Sequence, residues 1–227
     1  MPVPKLKHDE LSAFSERLLR AGGFPDRDSK LVAKLLVKAD LRGYPGHGTI
    51  RIPSYSSWIK DGTIDLTTKP KVVRETKTTA AIDANHYVGQ VVAYDGMKLA
   101  IDKAKAHGVG IVSLARAGHV GRLADYMEMA AEQGMIGMAA VCVGAGSVTL
   151  YGGRERVTGT NPMAFGIPAR NGRHIILDFA TAAMSMGELQ KRLSRNEAIP
   201  GNVMLDGYGK PANDMKKIGR ASCRERV

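Results

Sequence analysis

The chain has 227 residues, 44% of them hydrophobic and 24% charged, which is enough for one large domain or two small ones around a sizeable core. Its net charge of +11 is scattered rather than gathered in runs and only 5% of residues are aromatic, so a nucleic-acid partner is not expected. Two cysteines without a CxxC pair exclude a disulfide framework and a cysteine metal site, and neither a signal core nor an apolar run of about 18 residues is present, so the expected location is cytoplasmic with no membrane contact.

Helices come first. Asp9 to Ala21 carries Leu11, Phe14 and Leu18 on one face and ends at Gly22-Gly23. Asp28 to Leu41 carries Leu31, Leu35 and Ala39 on one face, and Gly43, Pro45, Gly46 and Gly48 break the chain after it. A short helix from Pro53 to Lys60 starts at a proline, where the missing N–H costs little. From Lys71 the pattern changes. Lys71 to Thr76 and Thr79 to Asp83 read as two strands joined by a tight turn. Val91 to His107 reads as a helix, Gly110 to Leu114 as a strand, Leu123 to Gln133 as a helix and Ile136 to Val143 as a buried strand. Arg156 to Thr160, Ala164 to Pro168 and His174 to Asp178 follow as strands, then Ala182 to Arg195 as a helix. Strands that succeed one another without a helix between them cannot all be parallel neighbours. The expected fold is α/β: an N-terminal helical part over residues 1–70, then a mixed, largely antiparallel sheet flanked by helices over residues 71–217.

Few motifs carry chemistry alone. Gly144-Ala145-Gly146 follows a strand, but Thr149 stands where a dinucleotide fingerprint needs its third glycine, and Gly152-Gly153 opposes a following helix. His47 lies between Gly46 and Gly48, with Arg51 four residues on. A histidine titrates near neutrality and serves as acid or base, and an arginine fork matches a carboxylate. Spacing alone favours a turn histidine and a surface arginine over a site. His119, in Gly118-His119-Val120-Gly121, falls between a strand and a helix, a place for a pocket residue or for a capping loop. Thr160-Asn161-Pro162 is by itself a turn signal, and Asp178 suits a helix cap.

In this order, Gly46-His47-Gly48 with Arg51, Gly118-His119-Val120-Gly121, Gly152-Gly153-Arg154, Gly159-Thr160-Asn161-Pro162-Met163-Ala164-Phe165 and Leu177-Asp178-Phe179-Ala180-Thr181-Ala182 resemble the malate/L-lactate dehydrogenase type-2 family. The likeness runs from about Leu11 to Asp214. It implies a non-Rossmann NAD(P)-binding fold and an oxidoreductase of malate and lactate dehydrogenase type. Such an enzyme transfers a hydride between NAD or NADP and the C2 of a small anionic 2-oxo or 2-hydroxy acid, and a homodimer is implied. The alternatives are a cyclic imino-acid (piperideine or pyrroline carboxylate) reductase and a non-catalytic basic fragment that binds nucleic acid. The resemblance assigns His47 as acid/base, Arg51 as carboxylate clamp and His119 as a group facing substrate and nicotinamide. Thr160, Asn161, Pro162, Asp178 and Thr181 fall at cofactor-site positions, and no metal is implied. Two departures stand out: Gly46 occupies the family's serine position, and an aspartate found in some members aligns near Ala145.

The last ten residues, Ile218 to Val227, can be encoded by a common short-read sequencing adapter. The expectation is a chain truncated near Lys217 and inactive as it stands, followed by a foreign tail at 218–227 that packs against nothing. The same truncation should leave Leu11, Phe14, Leu31 and Leu35 uncovered.

Overall fold

The computed structural model describes residues 5–144, 146–201, 203–206, 208–212 and 222–224. Three helices open the chain: α1 (His8–Ala21), α2 (Asp26–Leu41) and α3 (Ile52–Lys60). Asp9 and Glu10 in the first turn of α1 and Arg20 in its last complement the helix dipole. Two 3₁₀ turns, Pro45–His47 and Thr49–Arg51, link α2 to α3. The α/β part follows. β1 (Lys71–Glu75) and β2 (Thr79–Asp83) form the expected hairpin, closed by Thr76 N donating to Thr79 O at 2.9 Å. α4 (Gly89–His107) then crosses over to β3 (Ile111–Ala115), which lies parallel to β2. A core of Leu19, Val32, Leu36, Tyr55, Tyr87 and Val92 joins these helices to this sheet.

A second sheet has the order β4-β7-β8, all antiparallel, from β4 (Gly137–Ala140), β7 (Met163–Ile167) and β8 (Ile175–Phe179). Helix α5 (Ala124–Glu132) covers one face of it, packing Tyr126 and Met127 against Ala164. Among the described residues nothing covers the other face, where Met138, Ile175 and Leu177 are all more than half exposed. The expectation of a buried strand at Ile136 to Val143 is therefore corrected: β4 is shorter, paired on one side only, and alternates between the covered and open faces.

Two-residue strands β5 (Val148–Thr149), β9 (Met204–Leu205) and β10 (Pro211–Ala212), with β6 (Arg156–Thr158) and β11 (Ser222–Arg224), make a third sheet of order β10-β9-β11-β5-β6. Cys223 pairs with Val148 on one side and Met204 on the other, so the expectation that 218–227 packs against nothing is corrected at Ser222–Arg224. The rest of that segment lies outside the described residues. Sheet pairing is made by backbone N–H and C=O groups, which every residue but proline carries in full, so Ser222–Arg224 can pair with β5 and β9 with little regard to its sequence. The mixed, mostly antiparallel α/β character thus stands, distributed over three small sheets rather than one.

Helix α6 (Met186–Ser194) begins four residues later than expected. Glu188 N donates to Ser185 Oγ at 3.2 Å, and Ser185-Met186-Gly187-Glu188 has the capping-box spacing that sets a helix start. Of the residues expected to lie uncovered, Phe14 is 48% exposed but Leu35 is buried at 6%.

Candidate active site

The N-terminal histidine and arginine sit on the two 3₁₀ turns. Gly48, extended at φ −91° and ψ −156°, separates them. His47 ends the first turn and Arg51 the second, so a bent loop, not one helix, presents both. Arg51 Nε donates to Gly46 O at 2.6 Å, which anchors the guanidinium back on the same loop.

His119 arrives from a different part of the chain, on the segment between β3 and α5. The first residue of α4 is Gly89, and a Cβ there would lie 2.1 Å from Gly118 O and 2.7 Å from His119 O. Only a residue without a side chain lets this loop close onto the N-terminus of α4. The result is a stacked pair of imidazoles, His47 and His119, with ring centroids 5.7 Å apart and planes 12° off parallel.

Beneath them the fully buried Tyr55 of α3 bridges two elements. Its hydroxyl donates to Gln90 Oε1 of α4 at 3.0 Å and lies 2.9 Å from His119 Nδ1. Trp58, one turn further along α3, tilts against His119 at 6.3 Å between centroids. Burial lowers the proton affinity of His119 to a pKa of about 3, with the positive fields of His47 and Arg51 adding to the effect. Burial, then the charge of Arg51, holds His47 below 6.5 as well. Both imidazoles are therefore neutral at neutral pH in this state.

Helix α6 closes the site from a third direction. Gly187 lies against Gly46, and a Cβ on Gly187 would fall 2.9 Å from Arg51 Nη2.

The other expected residues gather separately. Thr181 N and Oγ1 donate to Thr160 O at 3.0 and 3.2 Å. Asn161 takes a positive φ of 31°, and its Oδ1 accepts from Val143 N at 2.9 Å, while Pro162 O accepts from Val141 N at 3.0 Å. These bonds clip the β6–β7 loop to the segments on either side of it. Asp178 does cap a helix, but α5 rather than the one that follows it: its Oδ2 accepts from Ala124 N at 2.9 Å. The same carboxylate is felt by His47, whose proton affinity it raises, and by Arg122. Ala145 lies outside the described residues.

An ion network flanks the site. Arg122 Nη2 binds Asp125 at 2.5 Å and Glu128 at 3.4 Å, and Lys38 of α2 reaches both carboxylates at 3.2 and 2.5 Å. Beside it opens a cleft of about 620 Å³ lined by Arg42, Tyr44, Arg122, Glu128, His174 and Asp178, among others.

Sequence reasoning missed Tyr55, Gln90, Gly89 and Gly187. Tyr55 had one available signal, since it follows Arg51 by four residues, the spacing of one helical face.

The nicotinamide cofactor that the sequence resemblance implies would find polar atoms in the second cluster. Asn161 has committed its oxygen and Thr160 its carbonyl, which leaves the Asn161 amide nitrogen, the Thr160 hydroxyl and the second Asp178 oxygen for a carboxamide or a ribose.

An α/β fold that stacks two neutral imidazoles beside an arginine is equipped for proton transfer on an anionic substrate. The chain belongs to the malate/L-lactate dehydrogenase family, whose model matches residues 6–223. It is 40% identical over 198 residues to the malate/(S)-sulfolactate dehydrogenase of Methanothermus fervidus, covering 87% of this chain and 58% of that one. The structure of malate dehydrogenase from Entamoeba histolytica superposes with a TM-score of 0.93 at 32% identity, over 99% of this chain and 64% of that one. The delta1-piperideine-2-carboxylate reductase of Pseudomonas syringae superposes with a TM-score of 0.90 at 27% identity, over 98% and 67%. The chain thus spans about six tenths of the length of the relatives it resembles best among these.

Proposed function

We propose that this chain carries the acid–base site of an NAD(P)-dependent oxidoreductase acting on small 2-oxo and 2-hydroxy acids. The observation that carries the reading is the His47–His119 stack with Arg51 beside it, assembled from separate segments of the chain. The cofactor, when bound, supplies or accepts the hydride at C2. Thr160, Asn161, Pro162, Asp178 and Thr181 would hold it.

Arg51 clamps the substrate carboxylate. Its Nε is spent on Gly46 O, so the fork presents its Nη edge, and the anchored geometry reduces the entropy lost on binding. His47 exchanges the proton with the C2 oxygen. Neutral in the ligand-free state, it is set to accept the hydroxyl proton of a 2-hydroxy acid. For reduction it must first be protonated. The carboxylate of a bound 2-oxo acid favours this by offsetting the positive field of Arg51. His119, stacked on His47, faces the substrate beside it. The implied assembly is a homodimer.

A second reading, reduction of a cyclic imino acid, uses the same parts and has support in the likeness to the piperideine-carboxylate reductase. Gly46 favours neither substrate by a direct contact, since it offers no hydroxyl. The test is oxidation of NADH and NADPH by the protein across a panel of pyruvate, oxaloacetate, a 3-sulfonated 2-oxo acid and a cyclic 2-carboxy imine. Turnover of the 2-oxo acids supports the first reading, turnover of the imine alone the second. Binding of neither class would remove both.

A further inference from the structure

The Tyr55 hydroxyl has one proton and two neighbours, Gln90 Oε1 at 3.0 Å and His119 Nδ1 at 2.9 Å. An amide oxygen only accepts. The phenol must therefore spend its proton on Gln90. What remains for His119 is the phenol's lone pair, which an imidazole nitrogen meets only by donating. Tyr55 stays a phenol throughout, because burial pushes its ionisation far above the usual range.

We propose that Gln90, acting through Tyr55, is a positioning residue that locks His119 in the Nδ1–H tautomer, leaving Nε2 as a lone-pair acceptor and the sole ring nitrogen for a ligand. The two histidines then have different chemical roles. Through Nε2 His119 can accept a hydrogen bond from a substrate donor other than the C2 hydroxyl, whose one proton goes to His47, and it cannot donate one to a carbonyl; His47 is the group that carries the proton. The lock also explains the construction around it. Gln90 stands on the first turn of α4, Tyr55 on α3 and His119 on the loop held against Gly89, so three elements converge on one proton. Gly121, at φ +74°, leaves room for the Gln90 amide, since a Cβ there would come within 2.6 Å of Nε2. The assignment of roles rests on the oxidoreductase reading, but the tautomer itself does not.

The tautomer is directly observable. In protein carrying ¹⁵N-labelled histidine, a neutral imidazole shows one protonated, pyrrole-type nitrogen and one pyridine-type nitrogen, and proton–nitrogen correlations show which is which. Comparison with His119→Asn assigns the signal. In the unaltered chain at pH 7 the pyrrole-type nitrogen of His119 is expected to be Nδ1. A protonated Nε2 would overturn the proposal and would mean that the Gln90 amide is turned, with its NH₂ donating to Tyr55. Gln90→Leu removes the acceptor, frees the phenol proton for Nδ1 and should shift His119 toward the Nε2–H form. Gln90→Glu restores an acceptor and should return it to Nδ1–H, whereas a purely structural role predicts no change of tautomer in either variant. Because the first measurement needs no substitution, a variant that fails to fold leaves the proposal open to refutation. Correct tautomers with no turnover of any 2-oxo acid would remove the function and keep the lock.

Discussion

Gly46 and Gly187 touch backbone to backbone across the active site: a Cβ on Gly46 would lie 3.2 Å from both Cα and C of Gly187. The resemblance to the family places a serine where Gly46 stands, and this contact accounts for the departure. Helix α6 occupies the space that a side chain at position 46 would need. Gly46→Ser should destabilise the chain by about 1–3 kcal/mol, the usual scale for overpacking, because backbone yields less readily than a side chain. Urea unfolding measures it. A neutral or stabilising serine would show that α6 is free to retreat.

Asp40, at the end of α2, holds the active-site loop by its next residues. Its Oδ2 accepts from both Thr49 N at 2.9 Å and Thr49 Oγ1 at 2.7 Å. A Cβ on Gly48 would fall 1.8 Å from Asp40 Oδ1. Gly48→Ala should therefore break this clamp. In the double variant with Asp40→Ala the clash is gone, so the two losses should sum to clearly more than the double variant loses. Additive losses in a double-mutant cycle would mean that the two residues do not constrain each other.

The histidine electrostatics predict a direction with pH. His119 in the folded chain has its affinity lowered from 6.5 to about 3, and His47 is lowered too. Below pH 6.5 the unfolded chain binds protons that the folded chain refuses. The contribution of both groups is complete above 6.5 and is lost as pH falls toward 3. Stability should decline through that window more steeply in the unaltered chain than in His119→Asn. Equal slopes would show that the imidazole is not shielded.

His47→Ala should lower kcat by about a hundredfold or more, the scale of a lost general acid–base. Arg51→Lys loses both the fork and the Nε anchor on Gly46. It should raise KM for a 2-oxo acid by about tenfold or more, with a smaller change in kcat. Steady-state kinetics separate the two, and unchanged constants in both variants would refute the assigned roles.

Asp178→Ala removes a cap from α5 that is supplied from β8. A loss of about 1 kcal/mol is expected, as for other N-caps. Asp178→Asn keeps an acceptor oxygen and should recover much of that stability. If the residue also holds the cofactor, NADH affinity will fall in both variants, so calorimetry of the asparagine form separates capping from binding.

Much of this was legible along the chain. Glycines and prolines marked where helices α1, α2 and α4 end, two short strand-like runs about a tight turn marked the β1–β2 hairpin, and the glycine-flanked histidines with Arg51 marked the loops that meet. These signals are local, because backbone conformation and periodicity are properties of neighbours in sequence. The tertiary structure decided what the local pattern does not contain. Tyr55 looked like one more residue of a short helix until Gln90 and His119, 35 and 64 residues away, closed on its hydroxyl. Asp178 suited a cap, but which helix it caps depended on the pairing of β8 with β7 and the seat of α5 upon them. Ser222–Arg224 carried no strand pattern of its own, and its pairing with β5 and β9 is made by backbone groups that the chain brings together in space. Hydrogen-bond partners and sheet edges are assigned by distance in space, and that distance exists only once the chain has packed.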